Sequence, residues 1–247
     1  MKVSLITVVF NCEEYIEQCI QSVLAQDYRE LEYIVIDGKS SDRTPSIIDR
    51  YTDRLSYYLS EPDCGMYDAL NKGISAATGE LIGIVNADDY LVDSDVISAV
   101  AGFLIRHNAD AVYGNLNYVK QSRPTVITRS WRSNPWNRGK LRFGWMPAHP
   151  ALFIKKSCFQ RYGHYSLQLG TAADYELILR FFYKHQMHAV FLNKLIVHMR
   201  MGGMSNRNLR SLLNACANDY RAMVHNQLPA PLLALVCKKL RKLSQFI

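Results

Sequence analysis

The sequence predicts a single α/β domain, built on a doubly wound sheet and followed by a helical tail. Apolar runs typical of buried strands alternate with helical segments over roughly the first 90 residues. Polar and acidic residues follow these runs, which is where open α/β sheets bind their ligands. The chain has 247 residues, of which 49% are hydrophobic and 21% are charged, enough for one large domain.

The first crossover is predicted from two strands and the helix between them. "KVSLITVVF" and "LEYIVIDG" are apolar runs typical of buried strands, and "NCEEYIEQCIQSVLAQ" has the periodicity of an amphipathic helix. Tyr15, Cys19, Val23 and Leu24 share one side of that helix. A strand, a helix and a second strand within about 35 residues form a parallel crossover unit.

Two further pairs of elements continue the alternation. Thr44 and Pro45 have the residue types of an N-cap and a first helical position, and they open the helix "PSIIDRYTDRL". "LSYYLSE" is a third short strand. "MYDALNKGISAAT" is a helix closed by Gly79, and "ELIGIVNADD" is a fourth strand. Asn11, Asp37 and Asp63 therefore lie at or just beyond strand ends.

Charge divides the chain into an acidic and a basic half. Residues 1–110 carry 8 Lys and Arg against 19 Asp and Glu, a net charge of −11, whereas residues 111–247 carry 21 against 3, a net charge of +18. We expect the acidic half to meet cations and the basic half to meet anions or an anionic surface. The six cysteines show no metal-ligand spacing, which favours packed, reduced thiols. No apolar stretch approaches the ~20 residues that cross a bilayer.

Two adjacent carboxylates, Asp88 and Asp89, follow the fourth strand. Side by side they repel each other, and a divalent ion such as Mg²⁺ or Mn²⁺ would relieve the repulsion and also grip the phosphates of a nucleotide. The alternative is that they only make a turn. Asp93 and Ser94 are already available to cap the next helix, so we favour a metal site formed by carboxylates exposed at the strand end.

Five segments in register resemble the inverting glycosyltransferases of family 2: "TVVFN", "VIDGKSSD", "EPDCGMYDALNKG", "NADD" and "TAADYEL". The resemblance covers residues 1–205 and implies one domain of the GT-A type, Rossmann-like, with a nucleotide-sugar donor and Mn²⁺ or Mg²⁺. It assigns the donor and metal to residues 1–110 and the acceptor to residues 111–205. Residues 206–247 then form a basic, amphipathic helical tail.

The resemblance also implies roles for individual residues. Asp37 would contact the base of the nucleotide, Asp89 would bind the metal, and Asp88 would serve the ribose or the metal. The expected donor-binding residues are Val9, Asn11, Glu13, Asp37, Asp63, Asp68, Lys72 and Asp88. Asp37 could instead form a plain turn, and a solvated position suits Lys72 equally well. Asn86 stands where many relatives carry an acid, which removes one charge from the metal motif.

Transfer of a sugar to a hydroxyl also requires a general base. Between Asp110 and Asp174 there is no acidic residue, and Asp174 follows two small residues that would let an acceptor approach. The family places its base in this motif, so the resemblance assigns the role to Asp174. Stabilisation of a helix N-terminus is its alternative function, and Glu176 is the alternative base.

The acceptor is expected to meet the loop "SWRSNPWNRGKLRFGWMPAHP", because aromatic rings stack on sugars and Arg and Lys hold phosphates. The candidates are Trp131, Trp136, Trp145 and His149, although some of these rings can instead anchor the loop to the core. His198 is a further candidate ligand for the metal or the diphosphate.

These features together predict a hexosyl- or N-acetylhexosaminyl-transferase. It would move a sugar from a nucleotide-sugar, with UDP favoured, to a saccharide or lipid-diphosphate-linked acceptor in bacterial cell-surface polysaccharide synthesis. A sugar-nucleotidyltransferase is the first alternative, although "NCE" stands where its Gly-rich loop would follow the first strand. A nucleic-acid-binding protein is a weaker alternative, since the basic half contains no recognisable module, and no nucleic-acid partner is expected.

The tail "PAPLLALVCKKLRKLSQFI" predicts where the protein works. On a helical wheel one arc holds Leu232, Leu233, Leu235, Val236, Leu240, Leu243, Phe246 and Ile247, while Lys238, Arg241 and Lys242 lie on the other side. A basic amphipathic helix suits an anionic leaflet, which predicts a peripheral protein on the cytoplasmic face of the plasma membrane. The alternative is a helix that packs its apolar arc on its own domain.

Overall fold

A nine-stranded mixed sheet forms the centre of the protein. The computed structural model describes residues 1–202 and 209–243. Its strands are β1 (Val3–Val9), β2 (Leu31–Asp37), β3 (Tyr57–Ser60), β4 (Leu81–Ile84), β5 (Tyr90–Leu91), β6 (Ala111–Lys120), β7 (Arg123–Trp131), β8 (Leu152–Lys155) and β9 (Ala189–Arg200). Its helices are α1 (Ile16–Leu24), α2 (Thr44–Asp49), α3 (Met66–Ala76), α4 (Val96–Arg106), α5 (Arg138–Arg142), α6 (Lys156–Tyr162), α7 (Ala173–Ile178), α8 (Leu209–His225) and α9 (Pro231–Leu243).

The strand order confirms the doubly wound sheet and adds an antiparallel strand at its middle. The order is β3-β2-β1-β4-β8-β6-β9-β5, with β7 paired to β6. The first four strands of this order run parallel, whereas β8 is antiparallel to both β4 and β6. The acidic and basic halves of the chain therefore share one sheet through the pairing of β4 with β8. The predicted boundary between domain and tail, at residues 205 and 206, lies outside the described residues.

Helices cover both faces of the sheet, because the parallel strands are apolar on both sides. In β1, Val3 and Leu5 pack with α1 and α4, whereas Ile6 and Val8 pack with α3 and the C-terminal helices. The second layer also contains α7, which continues as a π-helical turn over residues 179–184. All of these strand residues are at most 7% exposed, so the sheet is the core.

Three local features differ from the sequence prediction. The first helix begins at Ile16, because Asn11 takes a left-handed φ of 47° and the chain turns before the helix. Thr44 is the first helical residue rather than the cap, and its backbone N–H donates to Asp42. Gly79 does not close α3: an added Cβ would lie 2.8 Å from the backbone N of Ser4, so this glycine allows a close chain crossing.

A buried carboxylate fastens the amino end of β2. Glu32 accepts hydrogen bonds from Ser4, Thr78 and Lys2. Burial raises its pKa, but these hydrogen bonds outweigh burial and lower the pKa to about 2. Glu32 therefore ties β1, β2 and the start of β4 together at the edge opposite to the predicted site.

Candidate active site

The predicted site residues lie along the carboxyl edge of the parallel strands. Val9 at the end of β1 is in register with Asp37 at the end of β2. The turn with Asp88 and Asp89 follows β4 on the same edge, because β4 runs parallel to β1. Loops that leave neighbouring parallel strands meet at such an edge, which is the usual ligand site of the architecture.

Asn11 and Glu13 join the loop after β1 to the loop after β2. The side-chain oxygen of Asn11 accepts from the Ser41 N–H at 2.8 Å. Glu13 accepts from the backbone N–H of Arg43 at 2.8 Å and from its guanidinium at 3.2 Å. These bonds with Arg43 lower the pKa of Glu13. Both predicted donor residues therefore shape the two loops that would border a nucleotide.

Asp37 is fully buried in the structure. Its carboxylate accepts from the Ser40 hydroxyl at 2.5 Å and from the Ser60 hydroxyl at 2.6 Å. The carbonyl of Val9 accepts from the Gly38 N–H at 2.9 Å, which holds the same turn. Direct contact between Asp37 and a nucleotide base would require the Ser40 turn to move.

The loop before α3 lies against the Asp37 turn. A Cβ added to Gly38 would lie 2.4 Å from a carboxylate oxygen of Asp63, so a larger residue there would displace that carboxylate. The other Asp63 oxygen accepts from the Gly65 N–H at 2.7 Å, and Asp68 accepts from the Cys64 N–H at 3.0 Å. The predicted acids of this segment are thus brought to the nucleotide edge, where they also fold their own loop.

Lys72 is paired within the same segment. Its ammonium lies 2.8 Å from Glu61 and donates to the Pro62 carbonyl at 2.9 Å. Glu61 raises the pKa of Lys72. The lysine therefore fastens the loop to α3, and a phosphate contact would have to compete with Glu61.

Asp88 and Asp89 differ sharply in exposure. Asp89 is fully buried and accepts from the Asn86 amide at 2.9 Å and from the Arg200 backbone N–H at 3.1 Å. Asp88 is half-buried. Burial raises the pKa of both carboxyls, and Asp88 raises that of Asp89 further. The expectation that both carboxylates are exposed is wrong for Asp89, which serves as a buried acceptor holding the turn.

Arg200, at the end of β9, clamps this turn. Its guanidinium donates to the Asp88 carbonyl and to the Gln18 side chain, and lies 4.6 Å from the Tyr15 ring centre and 5.1 Å from that of Tyr90. The side chain is 3% exposed. A buried cation beside two carboxylates offsets part of their repulsion.

The chemistry of this turn fits a divalent ion bound through Asp88. Hard cations take oxygen ligands, and Mg²⁺ usually uses one or two carboxylates together with substrate phosphates. Within residues 1–202 and 209–243, no group of three His, Cys, Asp or Glu side chains could hold a metal by itself. Asp88 can supply a carboxylate oxygen as ligand, and the donor diphosphate would complete the shell.

His198 does not join these carboxylates. Its ring lies 5.2 Å from that of Tyr90, and burial lowers its pKa while Asp93 raises it. Within the described chain its buried Nδ1 has no hydrogen-bond partner. Within the described residues His198 forms no three-ligand group with Asp88 and Asp89, and its role toward the metal or the diphosphate stays a prediction.

Asp174 lies half-buried in the first turn of α7. It accepts from the Tyr175 N–H at 2.7 Å and forms a hydrogen bond with Tyr67 of α3. Burial raises the pKa of Tyr118, the Arg129 guanidinium over its ring lowers it, and the charges of Asp89 and Asp174 raise it. Tyr118 on β6 thus lies within electrostatic range of both acidic motifs.

Glu176 belongs to a different network. It is 1% exposed and binds Arg180 through two hydrogen bonds of 3.0 and 2.9 Å. Arg180 in turn donates to the carbonyls of Gly163 and His164. This pairing holds the loop before α7, so Glu176 has no free carboxylate for catalysis, which favours Asp174 as base.

His149 contacts Tyr165. Its Nε2 lies 2.7 Å from the Tyr165 hydroxyl, and the Tyr165 backbone is held by Asn71 of α3. Burial lowers the pKa of His149, and Asp174 opposes this effect. The predicted position near the site is consistent with these contacts, and the ring serves as a hydrogen-bond partner of Tyr165.

The three tryptophans do not share a role. Trp145 is 5% exposed, and Trp136 donates from Nε1 to the Ala189 carbonyl at 2.8 Å, so both rings are packed against the core. The interpretation as acceptor contacts is not kept for these two. Trp131 ends β7 half-buried, with the Arg129 guanidinium 5.9 Å from its ring centre, and stays a candidate.

Several site residues had no clear signal in the sequence. The Arg129 guanidinium lies 4.2 Å from the centre of the Tyr118 ring, and Tyr67 forms a hydrogen bond with Asp174. Arg200 follows His198 closely, but a lone arginine near a strand end has no distinctive spacing. These side chains are recognised only once β6, β7 and β9 are placed beside the Asp88 turn.

Comparison with known sequences places the chain in a family. The sequence model of glycosyl transferase family 2 matches residues 4–164. A glycosyltransferase of PGL/p-HBAD biosynthesis from Mycobacterium bovis is 28% identical over 212 residues, covering 82% of this chain and 78% of that protein. An uncharacterized glycosyltransferase of Mycobacterium tuberculosis is 34% identical over 181 residues, covering 72% and 68%. The family match ends before Asp174.

Solved structures show the same fold. Staphylococcus aureus TarS in complex with UDP-GlcNAc aligns with a TM-score of 0.66 at 14% identity, covering 99% of this chain and 93% of that chain. The mannosyltransferase PcManGT of Pyrobaculum calidifontis, with GDP-Man and Mn²⁺, aligns with a TM-score of 0.67 at 19% identity, covering 96% and 68%. Among the helices of the described residues, none has the length and apolarity to cross a membrane. The family match and these relatives show that this chain belongs to glycosyl transferase family 2.

Proposed function

We propose that the protein is a metal-dependent inverting transferase that moves a sugar from a nucleotide-sugar to an acceptor hydroxyl. The observation that carries the proposal is the acidic turn of Asp88 and Asp89, which follows β4 at the carboxyl edge of the parallel strands and is clamped by Arg200. Asp174 lies far from this turn in sequence, but it forms a hydrogen bond with Tyr67 of α3, the helix that follows the Asp63 loop of the same edge. A donor held at this edge would have its reacting carbon near the carboxylate of Asp174.

The donor would bind at the edge formed by the loops after β1, β2 and β3. The residues proposed to border it are Val9, Asn11, Glu13, Asp37, Asp63, Asp68 and Lys72, most of which act through the loops they fold. Structural neighbours were solved with UDP-GlcNAc and with GDP-Man, and we favour a UDP-sugar. A hexose or an N-acetylhexosamine is the proposed group transferred.

Asp88 would hold Mn²⁺ or Mg²⁺, and Asp89 with Arg200 would hold the turn that presents Asp88. A divalent ion bound there supplies Lewis acidity, which stabilises the negative charge of the departing diphosphate. A structural neighbour was solved with Mn²⁺ alongside its GDP-Man. The half-buried position of Asp88 supports its role, because an ion can reach its oxygen from the donor side.

Asp174 would act as the base. Its carboxylate takes the proton of the acceptor hydroxyl while the hydroxyl oxygen forms a bond to the anomeric carbon and the carbon–diphosphate bond breaks. Attack opposite to the leaving group inverts the anomeric configuration. The hydrogen bonds from Tyr67 and Tyr175 hold the carboxylate in a fixed position, which favours a short distance between the carboxylate and the acceptor hydroxyl.

The acceptor would be a saccharide or a lipid-diphosphate-linked saccharide of a bacterial cell-surface polysaccharide. The cluster of Arg129, Tyr118 and Trp131 supports this proposal, because it combines aromatic faces for sugar rings with a cation for phosphate. We place the protein at the cytoplasmic face of the plasma membrane, where a lipid-linked acceptor would be presented.

A donor screen tests the proposal. UDP- and GDP-sugars are added with Mn²⁺, Mg²⁺ or EDTA, and thermal stabilisation and donor hydrolysis are measured. We expect one nucleotide-sugar to stabilise the protein only with metal, and Asp88→Ala to remove that effect. Equal stabilisation by the nucleotide-sugar in EDTA would refute the metal requirement. No stabilisation by any nucleotide-sugar would refute the donor assignment.

A further inference from the structure

The C-terminal helix α9 exposes a stripe of apolar side chains and holds a lysine against the domain, whereas an ordinary amphipathic surface helix does the reverse. Four of its apolar side chains are exposed and lie on its outward face: Leu232 (67%), Leu233 (50%), Val236 (56%) and Leu240 (59%). Spacings of three and four residues put them on one side of the helix. An ordinary surface helix buries such a stripe against its domain.

The inward face carries a lysine instead. The ammonium of Lys238 lies 2.6 Å from Asp219 of α8 and 3.5 Å from the centre of the Tyr175 ring, and its side chain is 11% exposed. Ala234 is fully buried, and an added Cβ on Gly144 would lie 2.4 Å from its carbonyl. Tight packing and a buried ion pair therefore fix which way α9 faces.

Helix α8, which contacts α9, adds a second exposed apolar stripe. Leu213 is 62% exposed, Tyr220 37% and Val224 51%, at spacings of seven and four residues. Exposed apolar patches of this kind mark interaction sites in soluble proteins. We use the name apolar hairpin face for these three residues together with the four of α9, which lie on two helices that contact each other.

Charge identifies the partner. The only acidic residue in the described part of the two helices is Asp219, which is 7% exposed and engaged by Lys238 and Lys239. Lys239 and Arg241 lie on either side of the α9 stripe, and Arg221 is exposed on α8. Two copies of this face would bring cations against cations, whereas an anionic lipid surface meets apolar and cationic groups together.

We infer that the apolar hairpin face docks the protein on an anionic lipid bilayer and that docking brings the membrane to the helix that carries the proposed base. Lys238 of α9 stacks on Tyr175, the residue after Asp174. The bilayer surface would thus lie one helix layer away from the site. The docking inference rests on the proposed function in one respect: the substrate that docking would bring to the site is the proposed lipid-linked acceptor.

Flotation with vesicles tests the inference on the full chain. Vesicles of phosphatidylcholine alone are compared with vesicles that also contain phosphatidylglycerol, at low and high salt. Removal of α9 is unsuitable, because it would also remove the buried Ala234 and Lys238. The variant is Val236→Ser with Leu240→Ser, and the matched control is Ile105→Ser, since Ile105 of α4 is 59% exposed, as is Leu240, and lies on the opposite layer.

We expect wild type and the Ile105→Ser control to float with the anionic vesicles and the double variant to bind about tenfold less, with an unchanged unfolding temperature. High salt should weaken binding by wild type. Flotation needs neither donor nor acceptor, so it is independent of whether the transfer reaction is found. Equal flotation of wild type and double variant would overturn the inference, as would a wild-type dimer that the double variant abolishes.

Discussion

Alanine substitutions at Asp88 and Asp89 should have opposite consequences, because only Asp89 is buried. Asp89→Ala leaves the Asn86 amide and the Arg200 backbone N–H without their acceptors. An unsatisfied buried donor costs about 1–3 kcal/mol. Removal of a carboxylate whose pKa is raised by burial and by Asp88 offsets part of that cost. We expect the free energy of unfolding to fall by about 2–4 kcal/mol.

Asp88→Ala should leave stability within about 0.5 kcal/mol of wild type, since its half-buried side chain packs little. It should instead abolish stabilisation by Mn²⁺ with a nucleotide-sugar. The assay is thermal unfolding of both variants in EDTA and then with metal and donor. For a domain of this size about 2–4 °C correspond to 1 kcal/mol, so Asp89→Ala should unfold about 5–15 °C lower.

Unfolding of Asp89→Ala at the wild-type temperature would refute the burial argument. It would show that the turn does not depend on the bonds to Asn86 and Arg200. A large loss of stability in Asp88→Ala would equally reverse the assigned roles. Asp89→Asn serves as the control of similar shape, because it keeps one acceptor oxygen and should lose less stability than alanine.

Three further predictions concern the base, its neighbour and the edge of the sheet. Asp174→Asn should retain donor binding but lose about 10²- to 10⁴-fold in turnover; a collapse of donor affinity with turnover preserved would make Asp174 a binding residue. Glu176→Gln should lower the unfolding temperature through its pairing with Arg180 and leave turnover near wild type, which parallel kinetic and thermal measurements can check. Glu32 has a folded-state pKa of about 2 against an ordinary 4.5, so the stability it contributes is present above pH 4.5 and disappears as pH falls toward 2. Between pH 4.5 and pH 2, Glu32→Gln should therefore lose less stability than wild type in an acid titration. The same pH dependence of stability in both proteins would contradict the lowered pKa of Glu32.

The parallel part of the sheet, from β1 to β4, can be predicted from the sequence because its strands are apolar on both faces and the helices between them are amphipathic. The alternation from β1 to β4 and the acidic residues after strand ends follow directly from these patterns. The antiparallel insertion of β8 does not, since a four-residue apolar run carries no information about its direction or neighbours. Pairing over such sequence distances is decided by tertiary packing.

The site shows the same limit at the level of single side chains. Sequence identifies Asp88, Asp89 and Asp174 as acids in suggestive motifs, but exposure separates the first two, and exposure depends on Arg200. Trp136 and Trp145 have the aromatic rings that stack on sugars, and yet both rings pack against the core. Residue type gives the available chemistry, whereas burial decides which residues can use it.

The bond between Arg200 and Asp89 spans 111 residues and has a consequence for synthesis on the ribosome. The acidic turn emerges early, but the strand that clamps it is among the last parts of the sheet to be made. A nascent chain that ends near residue 110 would carry two adjacent carboxylates without their buried cation and an unpaired edge on β4. The segment that begins at β6 is therefore not an exchangeable module: a chimaera that replaces it must also supply a backbone N–H for Asp89 and a guanidinium for the Asp88 carbonyl.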